Sequence, residues 1–241
     1  MKQRLRIWPI VMWSAIGIAI LCGLGIWQIF RLGEKQVLLA DIAARADAPP
    51  ISLAEALKRQ EQGSDIEFTV VKTRGVFDHT HELHKLSTYE GAPGWEIITP
   101  LKSDEGVSAL VDRGVVPDPL RDAAKRSETA MPIEFTAVVR AHDGGQGYFD
   151  PENQDDKNLW YWWDVAEMLA AANIPADVKV APFVLQVLPG GAANTFPKPL
   201  PPEVNLRNDH MQYIITWFSL ALILAVIAAI FIRNQMKRRD A

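Results

Sequence analysis

Two long segments without charge dominate the hydrophobic pattern of the chain. Residues 7–30 are almost entirely apolar or small, with Trp13, Ser14 and Gln28 as interruptions, and residues 213–232 form a second uncharged run. A helix of about 20 apolar residues crosses the roughly 30 Å of bilayer hydrocarbon. No other run in the sequence reaches this length, so the pattern predicts two transmembrane helices that flank one polar domain over residues 31–212.

The polar stretch begins with helical signals and then changes to a period of two. Charged and apolar residues are interleaved after Arg31, which predicts that the first helix continues out of the membrane towards Pro49-Pro50. Ser52 and Glu55 form a capping-box signature for a short helix over residues 53–62. Strands are predicted over residues 66–77, 95–101, 107–116, 133–140 and 182–188, and a further helix, capped by Asp164, over residues 164–172.

Together these elements predict a membrane-anchored α+β fold in which two terminal transmembrane helices flank a mainly antiparallel β extracytoplasmic domain. A stretch rich in Pro and Gly, residues 189–205, fits neither a helix nor a central strand. We interpret it as an extended connector that returns the chain to the membrane.

Basic residues at both ends predict the orientation. Seven of the 25 Lys and Arg residues lie in the tails formed by residues 1–6 and 233–241, which places both termini in the cytoplasm and the domain in the periplasm of a bacterial inner membrane. Between Arg31 and Gln212 the remaining 18 face 28 Asp and Glu, a net charge of −10. An acidic domain of this kind argues against nucleic-acid binding.

The first helix is predicted to be an uncleaved anchor. No small-x-small cleavage site ends it, and Leu21 precedes the single cysteine, Cys22, where a lipoprotein signal would have Gly or Ala. Cys22 has no intrachain partner for a disulfide, so we interpret it as a small packing residue in the membrane.

His210 is the most informative single residue, because it lies where the second helix begins at the outer membrane surface. If the helix includes it, His210, Tyr213 and Trp217 share one face and can meet one partner or cofactor; alternatively they form an interfacial belt. Trp27, Gln28 and Arg31 lie where the first helix leaves the membrane on the same side, so a composite site is possible. Arg31 can pair with a carboxylate or with lipid phosphate.

Other chemistry-bearing residues give weaker signals. His79, His81 and His84 resemble a metal-ligand set but are predicted to lie in a solvated turn. The aromatic run over residues 160–163 is predicted to form core or a contact between the domain and the membrane. No Gly-rich phosphate loop, GxSxG elbow or HExxH motif occurs, so the sequence favours a binding or assembly role over an enzyme.

Four segments occur in an order that resembles the surfeit locus protein one family of cytochrome c oxidase assembly factors. They are Gly25-Ile-Trp-Gln-Ile-Phe-Arg31 with Lys35, Leu110-Val-Asp-Arg-Gly-Val-Val-Pro117, Asn158-Leu-Trp-Tyr-Trp-Trp-Asp-Val165 and Asn208-Asp-His-Met-Gln-Tyr-Ile-Ile-Thr-Trp217. The resemblance covers nearly the whole chain. It departs from the family pattern at Val115, where a Trp is common, and at the histidine cluster over residues 79–84.

The resemblance implies a factor that binds haem a transiently and aids its insertion into subunit I of a haem-copper oxidase, with haem a synthase as the donor. His210 would be the axial ligand of the haem iron, Tyr213 and Trp217 would line the same face, and Trp27 and Gln28 would close the pocket. Arg31 would meet a propionate. The alternative is a membrane scaffold that stabilises subunit I without binding haem.

Overall fold

The computed structural model describes residues 7–128, 131–141, 145–175, 177–190, 195–202 and 209–240. The chain divides into two compact units, a helical unit formed by Met1–Asp41 with Val204–Ala241 and a β-rich unit formed by Ile42–Glu203. The predicted tail 1–6 and parts of the predicted connector, residues 191–194 and 203–205, lie outside the described residues.

Two long apolar helices at the chain ends, α1 (Ile7–Ala46) and α4 (His210–Asp240), confirm the predicted anchors. Their apolar windows have mean hydropathies of 2.1 and 2.7, and only 6% and 11% of the residues in these windows are buried. The helices therefore present apolar side chains outwards, as a lipid-facing helix does and the core helix of a water-soluble domain does not. The architecture is a membrane-anchored α+β fold.

Small residues bring α1 and α4 close together. A Cβ atom on Gly25 would lie 2.8 Å from Phe218 Cε2, and one on Gly17 would lie 3.0 Å from Leu224 Cδ2. Ala221 on α4 is also buried. Small side chains let helix backbones approach, and van der Waals packing is the main attraction between helices in lipid.

A closed barrel forms the core of the β-rich unit. Its described strands are β1 (Val70–Phe77), β2 (Leu83–Tyr89), β3 (Ala92–Ser103), β4 (Val107–Pro117), β5 (Ile133–Arg140) and β6 (Lys179–Val187). They are ordered β1-β5-β6-β4-β3-β2, and an additional β1–β3 pairing closes five of them into a ring with β2 outside. Only the β4–β6 pairing is parallel among these pairs, so the predicted mainly antiparallel domain is confirmed.

The short helices follow their predicted caps. Helix α2 (Leu53–Glu61) begins after Ser52, whose Oγ accepts a hydrogen bond from the Glu55 backbone N–H at 3.2 Å. Helix α3 (Val165–Ala171) begins after Asp164, whose Oδ1 accepts from the Glu167 N–H at 2.9 Å. Each cap satisfies an N–H group that the helix itself leaves without a partner.

Two clusters of buried apolar side chains hold the β-rich unit together. The larger fills the barrel beneath α2 and includes Val71, Leu101 and Phe183. The second lies under α3 around Trp160, which is fully buried, with Leu110 and Met168. The predicted core role of the aromatic run is therefore confirmed for Trp160 and for the buried Trp163.

The segment after β6 returns across the barrel and docks on β4. Val115 and Lys198 exchange two backbone hydrogen bonds of 2.9 Å. Gly114 permits this approach, because its φ is +107° and a Cβ atom there would overlap the Lys198 carbonyl oxygen. The Arg-Gly-x-x-Pro segment thus provides the docking edge for the polypeptide that leads towards α4.

Candidate functional site

The helical unit contains a buried polar contact between its two helices. Nδ1 of His210, the first residue of α4, lies 2.7 Å from Oε1 of Gln28 on α1. Gln28 is only 8% exposed although it lies in an apolar helix. A buried amide needs a hydrogen-bond partner, and His210 provides it. Two of the six predicted site residues are therefore in direct contact.

This contact fixes the tautomer of the neutral His210 ring. An amide oxygen accepts hydrogen bonds only, so Nδ1 of His210 carries the proton and Nε2 carries the lone pair in the neutral ring. Metal-binding histidines commonly donate their other N–H to a carbonyl or carboxylate, which fixes the tautomer and the ring orientation. Gln28 performs this function for His210 within the helical unit.

The other predicted site residues are less closely joined. Nε1 of Trp217 is buried and has no hydrogen-bond partner among the described residues. Tyr213 and Trp27 are each about half exposed. Arg31 forms an ion pair with Glu34 at 2.6 Å, so its described partner belongs to its own helix. Their roles at a bound group stay predictions.

A second polar centre, in the β-rich unit, is a buried ion-pair network. Glu82 accepts hydrogen bonds from Arg126 and from Arg113 NH1, the latter at 3.3 Å. Glu128 binds both guanidinium groups, with Arg113 NH2 at 2.6 Å and Arg126 Nε at 2.7 Å. The side chains of Glu82 and Arg126 are 3% and 1% exposed, so the pair lies in the protein interior.

His79 and His84 belong to this network rather than to a solvated turn, so that prediction was wrong for these two residues. Residues His79–His81 form one turn of 3-10 helix, and Nδ1 of His79 lies 3.0 Å from Glu82 Oε1. His84 Nε2 lies 3.8 Å from Glu82 Oε2, while the ring of the more exposed His81 pairs with Asp78. The sequence pattern gave no sign of the arginines in this network, because the arginines come from β4 and from the loop after it.

The network determines the protonation of its carboxylates. Burial by itself would raise the pKa of Glu82, but contacts with His84, His79 and Arg126 outweigh it and lower the pKa to about 2. Burial would likewise raise the pKa of Glu128, but contacts with Arg113 and Arg126 outweigh it and lower this pKa. Ligand atoms of His79, Glu82 and Glu128 lie within 4.8 Å of one another. Two guanidinium groups already neutralise both carboxylates, so the cluster is an ion-pair network.

The strand that bears Arg113 also carries a buried carboxyl group with a raised pKa. Asp112 is 2% exposed, and burial, with the nearby Glu96 carboxylate as the second cause, raises its pKa well above the ordinary value. Its Oδ1 accepts a hydrogen bond from the Gly114 N–H at 2.8 Å, and Glu96 pairs with Lys85. The raised pKa of Asp112 reflects the cost of placing a second negative charge beside Glu96 in the protein interior.

A protein-family model matches most of the chain. The SURF1 family model matches residues 15–222, which include both halves of the Gln28–His210 contact and every described strand. The chain belongs to the SURF1 family. It is 30% identical to a SURF1-like protein of Monosiga brevicollis over 95% of this chain and 89% of that protein. It is 32% identical to Surfeit locus protein 1 of Rattus norvegicus, covering 82% and 67%, and 29% identical to a SURF1-like protein of Rickettsia felis, covering 91% and 95%.

The aromatic segment that carried the resemblance to the SURF1 family has a structural task. Asn158 adopts a left-handed conformation with φ 50°, and its side chain binds the backbone of Glu82 and His84. The indole Nε1 of Trp160 donates to Asn158 Oδ1 at 3.1 Å, while the Trp160 backbone pairs with β2. The segment therefore covers the outer edge of β2 and fixes the strand from which Glu82 enters the ion-pair network.

Proposed function

We propose that this SURF1-family chain is an assembly factor for a haem-copper oxidase, which binds haem a through His210 and aids its insertion into subunit I. The observation that carries the proposal is the Gln28–His210 hydrogen bond of 2.7 Å in the helical unit. Because Nδ1 of His210 donates in this hydrogen bond, Nε2 is the nitrogen that carries the lone pair. Haem iron is commonly held by a neutral imidazole.

The residues present fit such a cargo. Haem a, when bound, supplies an iron with axial positions for nitrogen ligands and a large apolar surface. Trp217 offers a buried indole N–H without a described partner, and Tyr213 lies one turn from His210 with half of its side chain exposed. Trp27 offers a further aromatic surface on α1, and Arg31 a cation for a propionate at the cost of its exposed pair with Glu34.

Each residue has a defined task in this proposal. Gln28 orients the His210 ring through Nδ1 so that Nε2 is the nitrogen offered to the cargo, and Tyr213, Trp217 and Trp27 exclude water. In this proposal the ligation by His210 is exchangeable, because a transfer factor must release its cargo. The chain thus acts as a non-enzymatic intermediary between haem a synthase and subunit I.

The proposed location is the bacterial inner membrane, with two passes, both termini in the cytoplasm and the β-rich unit in the periplasm. The basic tails support this orientation. Reporter fusions at each terminus test it, and a periplasmic signal from either one would overturn it.

A visible absorption spectrum tests the haem proposal. The full chain is purified in detergent after co-expression with the enzymes that make haem a, as wild type, as His210→Ala and as His81→Ala. His81 is a matched control, since its described contacts lie within the β-rich unit. We expect a stoichiometric Soret band in the wild type and in His81→Ala, and its loss in His210→Ala.

A colourless wild type with verified haem a synthesis would overturn haem binding. Oxidase assembly that still depends on the chain would then favour the alternative, a scaffold that stabilises subunit I without haem. The outward-facing apolar residues of α1 and α4 are the observation that favours this second function, because such faces can pack against the helices of another membrane protein.

A further inference from the structure

One end of the barrel contains a cavity of about 770 Å³ that the haem proposal does not use. Phe77 at the end of β1, Phe135 near the start of β5 and Val187 at the end of β6 supply apolar walls, and Phe196 closes a further side. The rings of Phe77 and Phe135 stack with their centroids 5.5 Å apart. Binding sites for small molecules commonly have this volume, and the lining combines apolar with polar side chains. We call it the end cavity.

The end cavity exists because two strands diverge. The parallel pairing of β4 with β6 ends at Asp112 and Gln186. Beyond that point β4 pairs through Val115 with Lys198, while β6 continues beside β5 as far as Val187. The opening between the two strands is therefore part of the barrel's topology.

The formal charges of the lining sum to zero, but the charged side chains differ in their ion-pair partners. Four described lining residues are charged: Arg113, Glu128, Glu134 and Lys198. Arg113 pairs with Glu128 at 2.6 Å, and Glu134 pairs with Lys72 at 2.9 Å. Lys198 has no carboxylate partner among the described residues; its described side-chain contact is with the Tyr89 ring, 5.8 Å from Nζ. One cation of the lining is thus left without an ion pair in the part of the chain that the structure describes.

The backbone holds this cation in place. Lys198 lies between Pro197 and Pro199, which restrict the chain, and its N–H and C=O are both bonded to Val115 at 2.9 Å. The backbone position from which the exposed Lys198 side chain extends is therefore fixed beside the cavity.

We propose that the end cavity binds a single-chain amphiphile with one negative charge, namely a fatty-acid carboxylate. Its hydrocarbon chain lies against Phe77, Phe135 and Val187, and its carboxylate meets Lys198. Lys198, the charged lining residue without a carboxylate partner among the described residues, favours one negative charge, and the apolar side chains favour an alkyl chain over a polar peptide. Membrane lipid is the source, since the same chain carries two membrane helices.

Photo-labelling of the full chain in lipid nanodiscs tests this assignment. The probe is palmitate with a diazirine on its chain, and the matched probe is the corresponding uncharged alcohol. At subsaturating concentration we expect palmitate adducts on peptides that contain residues 133–136 or 196–199, with the alcohol about two- to fivefold weaker, the value of one exposed ion pair.

Two pairs of variants complete the test. Lys198→Gln should lower the palmitate yield about two- to fivefold and leave the alcohol yield unchanged, whereas Lys102→Gln, an exposed lysine outside the lining, should change neither. Ile133→Trp adds bulk on the face of β5 that Phe135 shares and should lower both adduct yields, whereas Thr88→Trp adds bulk on the exposed face of β2 and should change neither. Circular dichroism verifies that each variant is folded.

Three results would overturn the assignment: adducts confined to α1 and α4, equal yields from acid and alcohol in the wild type, or a palmitate yield that Lys198→Gln does not reduce. None of these readouts involves haem. A failure of the end cavity to bind fatty acid is thus separate from a failure of His210 to bind haem.

Discussion

Replacing Glu82 by glutamine should remove a large part of the stability of the β-rich unit. The carboxylate is 3% exposed, and its pKa falls from the ordinary 4.5 to about 2, because contacts with His84, His79 and Arg126 outweigh the effect of burial. At 1.36 kcal/mol per pKa unit, this difference corresponds to about 3 kcal/mol of stability at neutral pH. Breaking a buried ion pair by removing one partner costs a similar amount, about 3–5 kcal/mol.

The pH dependence gives the sharper test. A glutamate with a lowered folded-state pKa stabilises the fold above its unfolded value of 4.5, and this contribution disappears as the pH falls towards about 2. Urea unfolding of the full chain in detergent, followed by near-UV circular dichroism from pH 7 to pH 2.5, should show a steep loss of stability below pH 4.5 in the wild type and a flatter one in Glu82→Gln.

Glu134→Gln is the matched control, because its ion pair with Lys72 is more than half exposed. It should change the free energy of unfolding by no more than about 0.5 kcal/mol. A loss below about 1 kcal/mol in Glu82→Gln, or an acid limb as steep as that of the wild type, would refute the argument that the network holds Glu82 ionised.

Three further predictions concern single positions. Asp112→Asn should be at least as stable as the wild type in thermal unfolding at pH 7. A raised folded-state pKa costs the wild type stability once the pH exceeds the unfolded value, so a clear loss of stability in the variant would contradict the raised pKa of Asp112. Gly114→Ala should lower the free energy of unfolding by more than about 2 kcal/mol, through backbone strain and overlap with the docked Lys198 backbone. Gly106→Ala, at a position with a positive φ but open space, should cost less, and equal losses would show that the close approach of Lys198 does not matter. Gln28→Leu should weaken haem a binding about 10- to 100-fold in a spectroscopic titration and alter the ligand-field bands, while a titration identical to that of the wild type would show that His210 needs no orienting partner.

Elements with a clear local signal in the sequence were predictable. The uncharged segments predicted both long helices, and Ser52 and Asp164 marked the beginnings of α2 and α3, because a side-chain cap acts within three residues. Five strands were also predicted, although β1 begins at Val70 rather than at residue 66, since Phe68 has a left-handed φ of 61°.

Strand β2 escaped prediction for a physical reason. It is the outer strand of the sheet, and its burial alternates only weakly, so Leu83–Tyr89 carries little of the period-two signal of a half-buried strand. The backbone of Trp160 covers part of the outer edge of β2, and this partner lies 74 or more residues later in the chain. The hydrophobic pattern contains no information about such a partner.

The candidate site was likewise predictable in its residue positions but not in its contacts. The position of His210 at the beginning of a helix and the presence of Gln28 near the end of the other apolar segment were predictable, but their 2.7 Å contact depends on how the two helices face each other. The ion pairs of Glu82 were not predictable, since Arg113 and Arg126 converge on it from residues 31 and 44 positions away. Only the folded barrel brings them together.

The single parallel pairing has a consequence for how the barrel is completed during synthesis. Strand β6 lies between β4 and β5, although it is the last strand in the chain. Until residues 179–187 have emerged, β4 and β5 are open sheet edges with unpaired N–H and C=O groups, and such edges pair readily with other chains. Closure joins segments more than 65 residues apart, a contact order that slows folding. A chain interrupted before β6 would therefore keep most of its strands and still be prone to aggregation.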